Sequence, residues 1–460
     1  MIKKLIFIAA TAALTAGCGI YKKYERPADV VTDSLFGERY HTEDTVSIAD
    51  LGWRELFTDP YLQELIDSAL VRNTDLKTAA LRVEQAETAL KIARLSYIPS
   101  FNFAPDGGVG GFNNFSNVST GASWTYTVPV AASWEIDIFG KKTNTKRKAE
   151  VTADMLRDYE QAVKTGLISG VATQYYTLLM LDEQLRIAES TCAKFSESVR
   201  VLRAMMEAGM ANEVAVAQME GAWYQVQAAV EDIRRSVNEL ENSICLTLCE
   251  TPHPVRRGVL ADAVFPEELK TGIPVALLSR RPDVRAAENS LAATFYDVNI
   301  ARSDLYPSLS LSGVAGWTNS LGGTVMNPSG LLLNAAASLF QPIFNAGAMR
   351  GKVEIARADM EAAALAFQQT VLNAGAEVND ALTQYQTALA KSEWRTRQVT
   401  SLDNAVTKTE KLMQYTSTTY LEVLTAQQSL LQAQTAQAQD TYEKITAVIN
   451  LYRALGGGQK

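Results

Sequence analysis

The feature that most limits what this chain can become is a junction that occurs twice. Ser133-Trp134-Glu135-Ile136-Asp137-Ile138-Phe139-Gly140 runs into Lys141 and a long tract without proline that passes Ala153-Asp154-Met155. At a constant offset of 205, Ser338-Leu339-Phe340-Gln341-Pro342-Ile343-Phe344-Asn345 does the same and passes Ala358-Asp359-Met360. Each copy reads as a strand that stops and becomes a very long helix. Halves related by a constant offset usually pack into one body, so 460 residues need not mean two or three independent domains.

The strand before the first junction has the clearest pattern in the chain. Trp124, Tyr126, Val128, Val130, Ala132, Trp134, Ile136 and Ile138 are apolar at every second place, while Ser123, Thr125, Thr127, Ser133, Glu135 and Asp137 are small or polar. That alternation, with aromatics near both ends, fits a transmembrane strand with one face in lipid and one in a wet lumen. The alternative is a strand of a soluble sandwich, for which four strands in the whole chain are too few. Residues 99–112, rich in Gly, Asn and Phe, are expected to pair with the strand at 122–139. In the second half, strands are expected at about 307–318 and 331–344.

Helices account for the rest. Asp59-Pro60 is a helix-start signal, and apolar residues then recur at three and four up to Tyr97, predicting one helix that ends at Pro99. After Gly140, roughly 65 helical residues would span about 100 Å at 1.5 Å per residue. Gly209 suits a C′ position and Asn212 an N-cap, so a second helix from Glu213 to about Leu248 runs back. Residues 251–274 hold four prolines and read as an exposed linker. The second half repeats the plan: Asp75, Ala79, Ile92, Ala93, Arg94, Pro99 and Ser100 recur at an offset of 208 as Asp283, Ala287, Ile300, Ala301, Arg302, Pro307 and Ser308. A long helix is expected from Ala346 to about Tyr415, then a turn with a Thr419/Glu422 capping-box pattern, then a helix to Leu455. Glu213-Val214 and Ala217-Gln218 recur there as Glu422-Val423 and Ala426-Gln427.

Several function classes are disfavoured at once. A net charge of -8 argues against nucleic acid as the main partner. His41 and His253 are the only histidines, which leaves little for histidine catalysis or metal binding, and no P-loop or Gly-x-Ser-x-Gly elbow appears. Cys245, Cys249 and His253 do not follow a standard zinc spacing and read as structural cysteines at a helix end. Met205, Met206 and Met210 read as helix packing rather than soft-metal ligands. No cofactor or metal is expected. No apolar run of about 18 residues lies beyond the N-terminus, so any membrane crossing falls to the strands.

Four strands cannot close a membrane barrel, and an open sheet edge in lipid is forbidden by its unpaired amides. The chain must therefore oligomerise. A trimer supplies twelve strands and six helical hairpins, enough for a β-barrel continued by a tube of helices. A dimer supplies eight, but such a barrel is filled by its own side chains and fits poorly with a hollow extension.

At the N-terminus, residues 1–17 have the parts of a signal peptide: Lys3 and Lys4, an apolar core, then small residues before Cys18. This resembles a bacterial lipoprotein signal in which Cys18 becomes the lipid-modified first residue. The usual pattern has Leu three places before the cysteine, where this chain has Thr15, with Leu14 one further back. The stretch 18–58 then reads as a lipidated arm.

The ordered set of Trp53 to Phe57, Ala93 to Ser100, Arg280-Arg281-Pro282-Asp283 with Ala287-Glu288, Tyr306-Pro307-Ser308-Leu309, and Tyr420-Leu421-Glu422-Val423-Leu424 with Ala426-Gln427 resembles the TolC-like outer-membrane efflux proteins, in their NodT-type lipoprotein branch. The resemblance runs from Cys18 to the final glycines. It implies a mainly α fold with a small transmembrane β part, built from a duplicated helix-strand-strand-long helix-helix repeat over 59–250 and 275–456, with 457–460 as a tail. It also implies a homotrimer in the outer membrane of a Gram-negative bacterium, with a twelve-stranded barrel continued by a periplasmic α-helical barrel. Such a duct passes drugs, metals or other small molecules in concert with a periplasmic membrane-fusion adaptor and an inner-membrane pump, proton-driven in this reading. Rings of acidic residues constrict the family's periplasmic aperture. Glu422 falls on one such position, Thr425 on a second where an acid is common, and Glu213 is the repeat-equivalent of Glu422. The structural explanation for both glutamates is a helix N-terminus complementing its dipole. Two other readings remain: the same duct serving protein secretion, and a coiled-coil lipoprotein without a pore, which would lack the amphipathic strands. Nothing in these residues assigns a role to Arg280 and Arg281.

Overall fold

The computed structural model describes residues 23–27, 35, 47–110, 123–265, 280–319, 330–415 and 420–458. Cys18, Thr419 and residues 111–122 and 266–279 lie outside them. The chain forms two compact units, each drawing on both halves of the repeat.

The first unit comprises residues 1–29, 82–157 and 286–367 and holds all the strands among the described residues. These are β1 (Ser100–Phe103), β2 (Asp106–Gly110), β3 (Ser123–Ile136), β4 (Ser308–Asn319) and β5 (Leu331–Phe340). All pairings are antiparallel, in the order β1-β3-β4-β5, with β2 also paired to β3. β1 and β2 are therefore two pieces of one expected strand. The break at Ala104-Pro105 lies opposite Val128 and Pro129, since Phe103 pairs with Val130 and Asp106 with Thr127. Two prolines, neither with an amide to donate, meet at that gap. On its other side Pro129 faces Gly316, where a Cβ would come within 2.3 Å of the Val128 carbonyl oxygen, so only glycine fits.

Register puts the alternating residues where the pattern predicts. Phe103, Val130, Ala315 and Leu333 lie side by side across the sheet, as do Trp134, Leu311 and Ala337. This face is apolar yet exposed: Phe101 is 70% accessible, Leu333 70% and Leu339 67%. The other face carries Glu135, Ser310 and Ser338 in one row and Ser133 and Ser312 in the next. Trp124 pairs with Val109 in the ladder, but its side chain lies outside the described ones.

The second unit comprises residues 30–81, 158–285 and 368–460. The expected single helix from Pro60 to Tyr97 is instead two, α1 (Pro60–Arg72) and α2 (Thr74–Leu95). Asn73 makes the break. Its Oδ1 accepts from the Asp75 and Leu76 amides at 2.9 and 3.0 Å, and its Nδ2 donates to the Thr247 carbonyl at 3.0 Å. A side-chain amide that caps one helix and ties down another outcompetes the backbone bond it replaces. The start of α1 is as expected, with Asp59 as N-cap and Pro60 at N1. Asp59 also accepts from the Tyr175 hydroxyl at 2.6 Å, and burial, then this bond, push the Tyr175 phenol well up from its ordinary pKa.

Two long helices follow the junctions, α3 (Lys141–Glu207) and, later in the chain, α5 (Ala348–Tyr415). Each is succeeded by a shorter one, α4 (Glu213–Thr247) and α6 (Tyr420–Ala454). The described part of the expected linker, 251–265, is exposed at most positions but is tied down at three. Val255 and Leu260 are buried, and Arg257 reaches Asp182 and Glu241, both at 2.5 Å. Arginine with two acidic partners and apolar neighbours anchors the chain despite its prolines.

The paired arginines acquire a role here. They precede α7 (Pro282–Ser303), and Arg281 is 6% exposed. Its guanidinium holds Asp283 through two bonds at 2.9 and 2.5 Å, Glu377 at 2.8 Å, and the carbonyl of Ala454 at the end of α6 at 3.0 Å. Burial works against its charge, but Asp283 and Glu377 outweigh that and hold its pKa above the ordinary value. Arg280 lies 3.2 Å from Asp50. Removing Arg281 would leave two carboxylates and a helix-end carbonyl without their common donor. Arg281→Ala is expected to destabilise the protein by about 2–3 kcal/mol, below the 3–5 of a wholly buried pair because both carboxylates reach water. Denaturant unfolding followed by circular dichroism measures it, and a change under 1 kcal/mol would deny Arg281 this anchoring role.

Candidate functional site at the hairpin ends

The three expected aperture residues all belong to the second unit. The turn between α3 and α4 closes as its residues predict. Gly209 has φ +75°, its amide donates to the Met206 carbonyl, and the Met210 amide donates to Met205. This is a Schellman ending, which glycine alone adopts without strain. Asn212 then caps α4, accepting from the Ala215 amide at 2.8 Å. Glu213 stands at the first helical position and is exposed.

The start of α6 differs. Its first described residue is Tyr420, so Glu422 is the third helical residue whereas Glu213 is the first. The repeat-equivalent of Asn212 is Leu421, which cannot cap, so this helix begins earlier. Thr419, expected to complete a capping box with Glu422, lies outside the described residues. Glu422 and Thr425 are exposed.

Packing brings the two hairpin ends together. Ala215, Val216 and Met219 of α4 share one buried cluster with Val423 and Leu424 of α6 and with Phe195, Val199 and Leu202 of α3. The Tyr420 hydroxyl donates to Gln218 at 2.8 Å. Two helix N-termini, each bearing a solvated carboxylate in its first turn, therefore stand side by side. That placement suits the helix dipoles and gathers negative charge at one end of the hairpins. Met205 and Met206 pack against this cluster, as expected for helix packing, while Met210 is 69% exposed.

Further along the hairpins are polar groups that periodicity did not flag. Gln427 is buried, and its Nε2 donates to Ser198 at 3.2 Å and Glu410 at 2.9 Å. Asp440 is only 4% exposed and accepts from Lys391 and Arg395, both at 2.8 Å. Burial favours its neutral form, but the bonds from Lys391 and Arg395 outweigh it and hold the carboxyl below its usual range. The one available signal was an acid on the apolar side of a helix, and nothing local says which cations meet it. Cys245 is buried, with its Sγ 3.5 Å from His253 Nδ1, but Cys249 is exposed at φ +56°, so only one of the two expected structural cysteines is enclosed. Among the described residues no three His, Cys, Asp or Glu side chains gather as metal ligands would.

Comparison with known proteins places this architecture. The sequence model of a family described as "Outer membrane efflux protein" matches residues 65–248 and 273–457, and the chain belongs to that family. It is 29% identical to the cation efflux system protein CusC of Escherichia coli strain K12, over 99% of each chain. It is 28% identical to the toluene efflux pump outer membrane protein TtgC of Pseudomonas putida, over 100% of this chain and 96% of that one. Among solved structures, the outer-membrane channel OprN matches with a TM-score of 0.87 at 26% identity, covering 96% of this chain and 99% of OprN.

Because Asp440 has a depressed pKa in the folded protein, its pairing contributes fully above the unfolded carboxylate value of about 3.9 and is lost as pH falls below it. The wild-type protein is therefore expected to lose thermal stability as the pH falls below about 4 more steeply than Asp440→Asn, which should already be weaker at pH 7. Melting curves across that range decide this, and parallel pH profiles would show that Asp440 carries no linked proton.

Proposed function

We propose that this outer-membrane efflux family member is the passive duct of a tripartite export system. Three copies close a twelve-stranded barrel, continue it as a periplasmic helical tube, and connect it through an adaptor to an inner-membrane pump. The supporting observation is the sheet. Its four strand positions leave β1/β2 and β5 as open edges, with an apolar exposed face on one side and a serine-rich face on the other. In lipid each unpaired edge amide costs several kcal/mol, and only closure with further copies removes the edges. The chain does no chemistry of its own in this reading. Its cargo is a small molecule or ion chosen by the pump, since a duct wall need not bind what it passes.

In the same reading Cys18 carries acyl chains that hold the N-terminus in the outer membrane, and residues 1–17 are removed. Glu422, with Glu213 beside it, lines the periplasmic mouth, and Thr425 stands where a second acid would complete the ring. Three copies of each carboxylate around one axis make the mouth an electrostatic filter that favours cations.

Two measurements test this. An arginine at Val130 or Leu333 would lie on the lipid face near mid-membrane at a cost of about 2–4 kcal/mol per site, borne by every subunit. Trimer yield should therefore fall sharply, while Thr127→Arg on the other face should be tolerated. Equal losses would refute the barrel. In planar bilayers, wild-type channels should be cation-selective and sensitive to acid and multivalent cations, with both effects weaker in Glu422→Gln. Indistinguishable channels would make Glu422 a helix-end residue only.

A further inference from the structure

Two ion pairs join the halves of the repeat within one chain. Lys141 at the start of α3 lies 2.7 Å from Asp304, the residue after α7. Lys148, two turns further along α3, lies 2.7 Å from Asp297 of α7. Between them Asn299 Nδ2 donates to Asn144 Oδ1 at 3.4 Å, and both side chains are buried. This is the seam along which β3 and α3 of the first half meet β4 and α7 of the second. All of it belongs to the first unit.

Duplication assigns an equivalent to each member of that seam. α2 and β1 correspond to α7 and β4 at an offset of 208, as Pro99 and Pro307 show. For β5 and α5 the structure sets the offset at 207, two more than the residue identities suggest. Ser100 pairs with Ser133 and its equivalent Ser308 with Phe340, while left-handed Gly140 and Gly347 immediately precede α3 and α5. At these offsets Lys148 and Asp297 become Ile355 of α5 and Ala89 of α2, and Lys141 and Asp304 become Ala348 and Ser96. Both charges of each pair have gone together. Faces left in water give no reason for that, because a solvated lysine or aspartate needs no partner. These faces are apolar instead: Ile355 is 64% exposed, and Ile92, one turn from Ala89, is 65% exposed. Leu95 is 51% exposed, whereas its equivalent Ser303 is buried, so one place is covered in the second half and open in the first.

We infer that α5 of one copy packs against α2 of the next copy as α3 packs against α7 within the chain, and that this seam is apolar where the internal one is ionic, with Ile355 set against Ala89 and Ile92. The seam rests on the trimer proposed above and extends its contacts from the strands to the helices. Asn144 and Asn299 have Gly351 and Lys91 as their equivalents, so the long lysine stem crosses a glycine, at which even a Cβ would meet nothing within 4 Å. The difference in chemistry follows from what each seam must do. The internal one joins parts of one chain and needs only register, which paired charges specify. The one between copies has to favour association, and burying isoleucine does so without dehydrating two charges.

Ile355→Lys would place an unpaired charge in every seam and should lower the trimer recovered from outer membranes about tenfold. Adding Ala89→Asp recreates the Lys148–Asp297 pair across the seam and should restore most of it. No loss overturns the seam, and restoration supports it. Where the loss is not restored, a milder pair of substitutions decides. With Cys192 and Cys249 changed to serine, Ile355→Cys and Ala89→Cys together should let a short bismaleimide turn the full-length protein into covalent trimers, while neither cysteine alone should. Native mass spectrometry of the same samples keeps the two premises apart. Trimers that do not cross-link through this pair overturn the seam and leave the duct standing. A wild-type chain that is not trimeric refutes the duct, and the seam with it.

Discussion

The sheet cannot be finished by one chain, and the rest of the molecule follows from that. Among the described residues β3 and β4 are paired on both sides over most of their length, whereas β1/β2 and β5 are each paired along one side. In water such edges would be a liability, and in hydrocarbon they are forbidden. The side chains agree with the backbone, since the face carrying Phe101, Leu333 and Leu339 is too apolar to be left in water. In the proposed trimer, one rotation pairs every β5 with a neighbour's β1/β2 and turns the apolar face to lipid. The helices that leave the sheet then have to form a ring as well, because they are continuous with strands already arranged in one.

In the proposed trimer the helices ring a lumen and have no thick core, which accounts for the polar groups buried within the hairpins. Small residues are interspersed in the contact faces: Ala215, Ala222 and Ala433 are buried among valines, leucines and a methionine. Such faces bury little area each, so their register needs other support. Asp440 between Lys391 and Arg395, Gln427 between Ser198 and Glu410, and Arg281 between Asp283 and Glu377 each tie points distant in sequence. Buried ion pairs add modest stability, but they penalise wrong register heavily, because a slipped helix would leave a charge without a partner.

The sequence disclosed the repeat, the strands and the hairpin turn because each has a local signature: period two, period 3.6, or a glycine and asparagine at fixed places. It concealed what depends on tertiary partners. Asn73 sits in an unbroken apolar period, and only the Thr247 carbonyl makes capping there preferable to continuing the helix. Arg281 looked like an unexplained charge beside a helix start, because its partners Glu377 and Ala454 lie about a hundred or more residues away. The glutamates at the hairpin ends were legible as residues, and their neighbourhood now is too. Their equivalence was overstated by the repeat: Asn212 holds one helix start in place, whereas Leu421 lets the other begin earlier.

That difference between repeats bears on how one wall can serve different pumps. CusC is named for cations and TtgC for toluene, yet both align with this chain along nearly its whole length. A conduit that bound its cargo along the wall could not be shared by a metal ion and an aromatic hydrocarbon, whose preferred surfaces are opposite. What can be shared is a tube whose interior is merely wettable, with any discrimination confined to its narrowest ring. In the proposed trimer that ring is built from helix N-termini, where a carboxylate is already favoured by the dipole and does not have to be engineered against its surroundings. Replacing one acid by Thr425 while keeping Glu422 changes the charge of the ring without disturbing the helices beneath it. In that reading selectivity can change at the mouth while the barrel and the buried ion pairs stay the same.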